Sequence, residues 1–318
     1  MINNTAISGS KNGSSDIDPL VSVLVPSYNH EKYVIECLES IKSQDYRRLE
    51  LIVSDDSSQD STFALVEEWI QRNAGRFERA IAVKQPKNLG VVRNLQFLFD
   101  NAQGEYLTYV ASDDLLLPSG VSNRGRALQK NKDVDAVFGN AQLVSESGVV
   151  LQKEFIPKRI VRELSSGKLL VSSLLLNWCV PGPVMMLRKK AVLESGSLGI
   201  LPVDLKAEDR YIYIRLASRK KLRFVNAVVA KYRAVQDSMS RHPSQYSFIV
   251  GHIAQSDKRN RHLLSGFNRF VIESKIARYD LELNKGNIAN YQSKKLFWRL
   301  VTMPLKMVLF IRAMAFKN

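Results

Sequence analysis

One feature limits the possible folds of this chain more than any other. Over the first 110 or so residues, short β-rich apolar runs alternate with stretches of helical periodicity. Residues 20–25 form such a run, stopped by Pro26 and Asn29, and read as a buried strand. Val34, Cys37, Leu38 and Ile41 then recur at i, i+3, i+4, i+7, which predicts a helix. Residues 49–53 give a second strand, ending at Asp55-Asp56-Ser57-Ser58. Asp60 or Ser61 is placed to cap the next helix, with Val66, Trp69 and Ile70 facing inward. A third strand is expected at 80–83 and a helix bearing Val92, Leu95 and Phe99 after Asn88 and Gly90. A fourth strand at 106–111 ends in Ser112-Asp113-Asp114.

Strict alternation of this kind predicts an α/β fold: a mostly parallel sheet flanked by helices. In such sheets ligands bind outside the carboxyl ends of the strands. The polar clusters at 27–30, 55–56 and 113–114 all fall there. A carboxylate after one strand is commonly a turn or cap residue. Three clusters converging on one sheet edge call for a ligand.

Further on, 136–138 and 143–144 read as two short strands and 169–176 as a helix. From residue 246 the chain turns helical, with stretches near 247–264, 267–284 and 288–316. The expected organisation is a disordered leader at 1–18, a catalytic domain at 19–245 and a helical, basic extension at 246–318. The leader is rich in Asn, Ser and Gly and lacks the apolar core of a signal peptide. No uncharged apolar stretch reaches the length of a membrane span, about 18 residues. A cytoplasmic protein is expected. Cys37 and Cys179 have no metal or redox spacing and read as buried thiols.

Lys and Arg number 46 against 31 Asp and Glu, a formal charge of +15. The excess favours a polyanionic partner: nucleic acid, an anionic membrane or phosphorylated substrates. No helix-turn-helix, zinc or RNA-recognition signature accompanies it, so nucleic acid is set aside. A dinucleotide-binding dehydrogenase is disfavoured because no G-x-G-x-x-G follows the first strand.

The motifs V-S-V-L-V-P-S-Y-N at 21–29 and L-I-V-S-D-D-S-S-Q-D-S-T at 51–62 resemble the opening of family 2 glycosyltransferases. Asn88-Leu89-Gly90, Gly104-Glu105-Tyr106, the Asp113-Asp114 pair and Ala207-Glu208-Asp209 with Ile214-Arg215-Leu216 continue the resemblance, in order, from about residue 20 to 240. It implies the fold of nucleotide-diphospho-sugar transferases (the GT-A type) and inverting transfer of a sugar to a hydroxyl. The displaced nucleoside diphosphate gathers negative charge, which a divalent cation, Mn²⁺ or Mg²⁺, would stabilise. A base must take the proton of the acceptor hydroxyl.

By that resemblance, Asp114 is the metal ligand and Asp113 supports the ribose or the metal. Asp56 bonds the donor base, Tyr28 stacks on it, and the backbone of Pro26 and Ser27 lines the same pocket. Arg93 would reach the diphosphate or the base. Asp209 is the general base, and Glu208 orients it or contacts the acceptor. Beside the resemblance, Pro181-Gly182-Pro183 reads as the acceptor-side wall, and the Trp178 ring offers a platform to stack on the apolar C–H face of a sugar. Two departures stand out. Many relatives carry a metal-binding His after the Tyr-Arg pair, whereas Tyr232-Arg233 is followed by Ala234-Val235-Gln236, leaving His242 as a substitute. The Gln-x-x-Arg-Trp motif of processive synthases is absent. The missing His keeps open a second reading, an inactive, membrane-associated scaffold of the same fold.

Residues 294–317 carry Lys294, Lys295, Arg299, Lys306, Arg312 and Lys317 among large apolar side chains, with no acid between them. A basic amphipathic segment of this kind suits the interface of an anionic membrane. A saccharide or polyprenyl-linked acceptor, used at the inner face of the cell membrane in surface-polysaccharide synthesis, would make sense of it.

Overall fold

A computed structural model describes residues 18–205, 208–235 and 246–283. Elements are numbered along the chain. Strand β1 (Val21–Ser27), helix α1 (Val34–Lys42), β2 (Leu49–Asp55), α2 (Thr62–Asn73), β3 (Arg79–Lys84), α3 (Val91–Asn101) and β4 (Tyr106–Tyr109) alternate as the sequence predicts. Next come β5 (Leu115–Leu116), α4 (Gly120–Lys130), β6 (Ala136–Ser145), β7 (Val150–Gln152), α5 (Lys158–Ser165), α6 (Leu170–Leu176), β8 (Met185–Arg188), α7 (Glu208–Ser218) and β9 (Leu222–Ala234). Helices α8 (Tyr246–Asn260) and α9 (Gly266–Leu283) close the described chain.

The strands form one sheet in the order β3-β2-β1-β4-β8-β6-β9-β5, with β7 on β6. The first four strands pair in parallel. Beyond β4 the sheet is mixed: β8 runs antiparallel to both β4 and β6, while β9 runs parallel to β6. The two short strands expected at 136–138 and 143–144 are one continuous strand, β6, whose pairing with β9 shifts register around Asn140. That irregularity breaks the apolar pattern, and the Asn140 side chain instead ties to the backbone of Ile156.

Burial explains the sequence pattern. Every residue of β2 is buried, and β1 is buried save for partial exposure at Pro26, because helices cover both faces of the parallel half. Val34, Cys37, Leu38 and Ile41 of α1 are inside, as are Val92, Leu95, Leu98 and Phe99 of α3. Helix α2 begins at Thr62; Ser61 holds the N-cap position without a side-chain cap bond, and the Asp60 carboxylate accepts the Thr62 N–H at 3.0 Å. Gly104 is fixed by crowding: a Cβ there would lie 2.6 Å from the main-chain N of Ser22. Cys37 and Cys179 are free thiols.

Helices α8 and α9 pack on α7 and α6. A buried ion pair fastens them: Arg210 of α7 donates to both carboxylate oxygens of Asp257 of α8, at 2.7 and 2.8 Å. Among the described residues no helix is long and apolar enough to cross a membrane. The basic segment at 294–317 lies outside the described residues.

Candidate active site

Strands β1, β2 and β4 run in parallel, so the segments that follow them emerge at one edge of the sheet. After β2, Asp56 is buried and each of its oxygens takes one main-chain N–H: Leu89 at 2.7 Å and Gly90 at 2.9 Å. Asp56 therefore anchors the 88–90 loop, a role that motif reading missed. Asp55 is occupied by the Ser58 N–H and hydroxyl.

After β1, the carbonyls of Pro26 and Ser27 are taken by the N–H groups of Ser112 and Asp56. The backbone that was expected to line a pocket is thus largely spent on holding the sheet edge together. The Ser27 hydroxyl is buried and has no hydrogen-bond partner among the described residues. Tyr28, 42% exposed, leaves its ring available for stacking. Asn29 adopts a left-handed backbone with φ 53°, and its side chain receives the Gln59 N–H. That turn brings His30 against the β4 edge. His30 Nδ1 lies 2.8 Å from Ser112 Oγ and 4.0 Å from Asp113 Oδ1. Arg93 sits on the exposed face of α3 and makes no hydrogen bond or ion pair among the described residues.

After β4, Asp114 is buried and its Oδ1 accepts the main-chain N–H of Arg233 at 2.8 Å. Burial and the neighbouring Asp113 charge push the Asp114 carboxyl well above the ordinary carboxylate range. The pairing of β5 with β9 brings Arg233 to this point. Its guanidinium donates to the carbonyls of Asp113 and Glu146 and to the Glu36 carboxylate, and lies over the Tyr33 ring.

Asp209 opens α7, in the first turn, where the helix dipole favours an acid. Its Oδ1 accepts the Tyr109 hydroxyl at 3.0 Å. Burial raises its carboxyl above the ordinary range, with the Tyr109 bond opposing the rise. Its charge also reaches Asp114, so the two carboxylates share one electrostatic neighbourhood. A Cβ at Gly182 would lie 3.9 Å from Asp209 Oδ2, so the glycine leaves that oxygen uncrowded on this side. Glu208 is half-buried beside it, and its charge acts on Tyr109. Trp178, half-buried, is engaged from two sides: the Arg210 guanidinium lies over its ring at 5.3 Å and Tyr213 meets it edge-on. It packs between α6 and α7 and is not an open platform for a sugar. His242 lies outside the described residues.

Sequence reasoning passed over His30, Tyr109 and Arg233 as site residues. His30 stood inside the polar cluster at 27–30 and Arg233 in the Tyr232-Arg233 pair already quoted. Tyr109, inside a strand, gave no signal of its own.

Among the described residues no cluster of three or more His, Cys, Asp or Glu side chains could hold a metal ion. Asp113 and Asp114 nevertheless fit a cation of the Mg²⁺ or Mn²⁺ type, which is commonly held by one or two carboxylates together with substrate phosphates. Asp114 Oδ2 has no hydrogen bond among the described residues, and the crowded negative charge would be relieved by a cation.

Comparison with known proteins identifies the family and the fold. The family model for glycosyl transferase family 2 matches residues 22–195, more than half of the chain. The chain belongs to that family. It is 28% identical over 236 residues to the GalNAc(5)-diNAcBac-PP-undecaprenol β-1,3-glucosyltransferase of Campylobacter jejuni, covering 73% of this chain and 71% of that one. Two further glycosyltransferase relatives match more locally; the chain spans 48% and 41% of their lengths. Among solved structures, TarS of S. aureus in complex with UDP superposes with a TM-score of 0.57 at 19% identity, covering 82% of this chain and 70% of that one. The mannosyltransferase PcManGT from Pyrobaculum calidifontis, in complex with GDP-Man and Mn²⁺, gives 0.58 at 18% identity, covering 94% and 87%. The fold is that of the GT-A glycosyltransferases.

Proposed function

We propose that this enzyme transfers a sugar from a nucleoside-diphosphate sugar to a hydroxyl of a saccharide acceptor, with inversion at the anomeric carbon. One observation carries the reading: Asp209, raised by burial and held by Tyr109, faces the same electrostatic neighbourhood as the Asp113-Asp114 pair. One element of this arrangement suits proton removal, the other the charge of a departing diphosphate.

The roles follow. The Ser27 hydroxyl and the Tyr28 ring receive the nucleoside. Asp56 contributes by holding the 88–90 loop and through the remaining lone pairs of its carboxylate. Arg93, exposed at the start of α3, meets the donor only if donor binding draws that side chain inward. Asp114, with Asp113, would hold a divalent cation that neutralises the diphosphate as it leaves. Arg233 keeps both acids in place. Asp209 takes the proton of the acceptor hydroxyl at Oδ2, Oδ1 being oriented by Tyr109. The acceptor oxygen bonds to the anomeric carbon as the bond from that carbon to the diphosphate oxygen breaks on the opposite face. A proton and a nucleoside diphosphate are the by-products. Glu208 lies on the acceptor side.

The relative acting on an undecaprenyl-diphosphate-linked glycan supports a lipid-linked acceptor and a place in surface-polysaccharide synthesis. The basic segment at 294–317 would bring the enzyme to an anionic membrane, at its cytoplasmic face. UDP-sugars are the first donors to examine, GDP-sugars the second, since structures of this fold hold each.

Calorimetry with UDP, GDP and dTDP, each with Mn²⁺ or Mg²⁺, tests the reading. Metal-dependent binding of one nucleotide supports it and names the donor class. Well-folded protein that binds none would return the chain to the inactive-scaffold reading.

A further inference from the structure

The hairpin of β6 and β7 carries apolar side chains that lie open to solvent among the described residues. Val149, Val150 and Leu151, consecutive in the chain, are 62%, 44% and 55% exposed. β7 pairs with β6 alone, so its other edge is open among the described residues. Side chains alternate along a strand, which puts Val149 and Leu151 on one side and Val150 on the other. Three exposed aliphatics in a row on an open edge invite aggregation, and a surface that keeps them needs something to meet. The hairpin is also firmly held. The Ser145 N–H donates to the Val149 carbonyl at 2.8 Å, and the Gly148 N–H to the Ser145 carbonyl at 3.0 Å. Arg233 Nη1 donates to the Glu146 carbonyl at 2.6 Å. The same guanidinium holds the carbonyl of Asp113, so the hairpin is tied to the acid pair of the site.

The charge that follows the hairpin says what that partner is. From residue 149 to 168 the exposed charged side chains are Lys153, Glu154, Lys158, Arg159, Arg162 and Lys168, five cations and one acid. Lys158, Arg159 and Arg162 recur at i, i+1, i+4 on the exposed face of α5, opposite the buried Ile160 and Leu164. Arg159 is answered by the buried Glu163 at 2.8 Å. Lys153, Lys158 and Arg162 make no ion pair among the described residues. Exposed aliphatics bordered by cations suit an anionic lipid surface. A second copy of this chain, at +15, would bring the same cations against one another if the open edges paired.

We propose that the β6–β7 hairpin is a membrane contact of the catalytic domain itself, seating Val149 and Leu151 in the interface of an anionic bilayer while Lys153, Lys158 and Arg162 face its headgroups. The seat is shallow. An open strand edge cannot enter hydrocarbon without stranding its N–H and C=O groups, so the backbone stays at headgroup level and only side chains reach the acyl boundary. This goes beyond the basic segment at 294–317, which can tether the chain but does not orient it. A hairpin fastened through Arg233 orients it, turning the edge of the sheet that bears Asp113 and Asp114 toward the membrane. A lipid-linked acceptor would meet the site from that side.

Vesicles of phosphatidylglycerol and phosphatidylcholine, with the full chain, test this in two ways. Leu151→Trp adds a tryptophan at the hairpin, and brominated lipids should quench its emission beyond what wild type shows. In sedimentation, Val149→Ser combined with Leu151→Ser should weaken partitioning about tenfold. Lys158→Ser combined with Arg162→Ser, on α5, is the second arm if the hairpin variant does not fold. It should weaken partitioning about tenfold or more on anionic vesicles and little on phosphatidylcholine alone. A tryptophan at 151 quenched no more than wild type, or serine variants that partition as wild type does, overturns the proposal and leaves the segment at 294–317 as the membrane contact. Light scattering covers the remaining occupant: a dimer that the hairpin serines convert to monomer, with vesicle binding unchanged, gives the edge to a second copy and also overturns it. No donor or acceptor enters the experiment, so its failure is distinct from failure of the transferase reading, which nucleotide binding decides.

Discussion

The main-chain N–H of Arg233 donates to Asp114 Oδ1 at 2.8 Å, while the guanidinium of the same residue holds the carbonyl of Asp113. One residue from the far end of the sheet thereby sets both acids of the pair. It does so because β5, directly after Asp114, adds to β9 in antiparallel register. The main-chain bond survives any substitution, but the guanidinium bonds do not. Arg233→Ala would leave the carbonyls of Asp113 and Glu146 short of a donor, at a cost of about 2 to 3 kcal/mol in stability. Nucleotide affinity in the presence of Mn²⁺ should fall at least about tenfold. Denaturant unfolding and calorimetry on one preparation check both. Arg233→Lys should recover only part of either, since it lacks the planar fork.

Asp209 sets the acid side of the pH profile. Its burial raises the carboxyl, so the base form is lost as pH falls through a value above the ordinary carboxylate of about 4. Transfer should therefore decline on acidification earlier than an exposed carboxylate would allow. Asp209→Asn should lower kcat by about 100-fold or more while leaving nucleotide binding intact. The profile of kcat/KM against pH, followed by release of nucleoside diphosphate, shows both.

The pair between Arg210 and Asp257 joins α7, which carries the base, to α8. Both side chains are fully buried, so Asp257→Asn leaves a guanidinium without its counter-charge. The expected cost is about 3 to 5 kcal/mol. Loss of α8 packing should also loosen Trp178, which lies under the same guanidinium. Tryptophan fluorescence and urea midpoints would report the two effects together.

Gly104→Ala tests a packing claim far from the chemistry. The added methyl would meet the Ser22 main-chain N at 2.6 Å and the Leu20 carbonyl at 2.8 Å. Backbone cannot step aside as a flexible side chain can, so a loss of about 1 to 3 kcal/mol is expected. Nucleotide affinity of the folded fraction should be unchanged.

Much of this was legible in the sequence because local periodicity carries it. The alternation through residue 110 gave the parallel half, and Val34, Cys37, Leu38 and Ile41 gave the buried face of α1 as built. The acids at 56, 113 and 114 stood out as polar clusters after strands, and Asp209 through the resemblance of 207–209 to a family motif ahead of a helix. What stayed hidden depends on pairing between distant segments. Nothing near Arg233 reveals that it meets Asp114, 119 residues away, because register between β5 and β9 is a property of the whole sheet. Tyr109 alternates in a strand like any core aromatic, and only the arrival of α7 gives its hydroxyl a partner. Asp56 was read as a ligand for the base, whereas its oxygens first satisfy two loop N–H groups. Trp178 looked like a sugar platform until Arg210 and Tyr213 were seen against its ring.

The central claim is a division of labour: Asp114 holds the donor through its diphosphate, and Asp209 removes the acceptor proton. Calorimetry of the preferred nucleotide with Mn²⁺ on wild type, Asp114→Ala and Asp209→Asn, paired with a transfer assay on the same proteins, tests it most directly. The account predicts that Asp114→Ala loses metal-dependent binding and transfer together, whereas Asp209→Asn binds as wild type does and does not transfer. Full transfer by Asp209→Asn, or unchanged metal-dependent binding by Asp114→Ala, would contradict it.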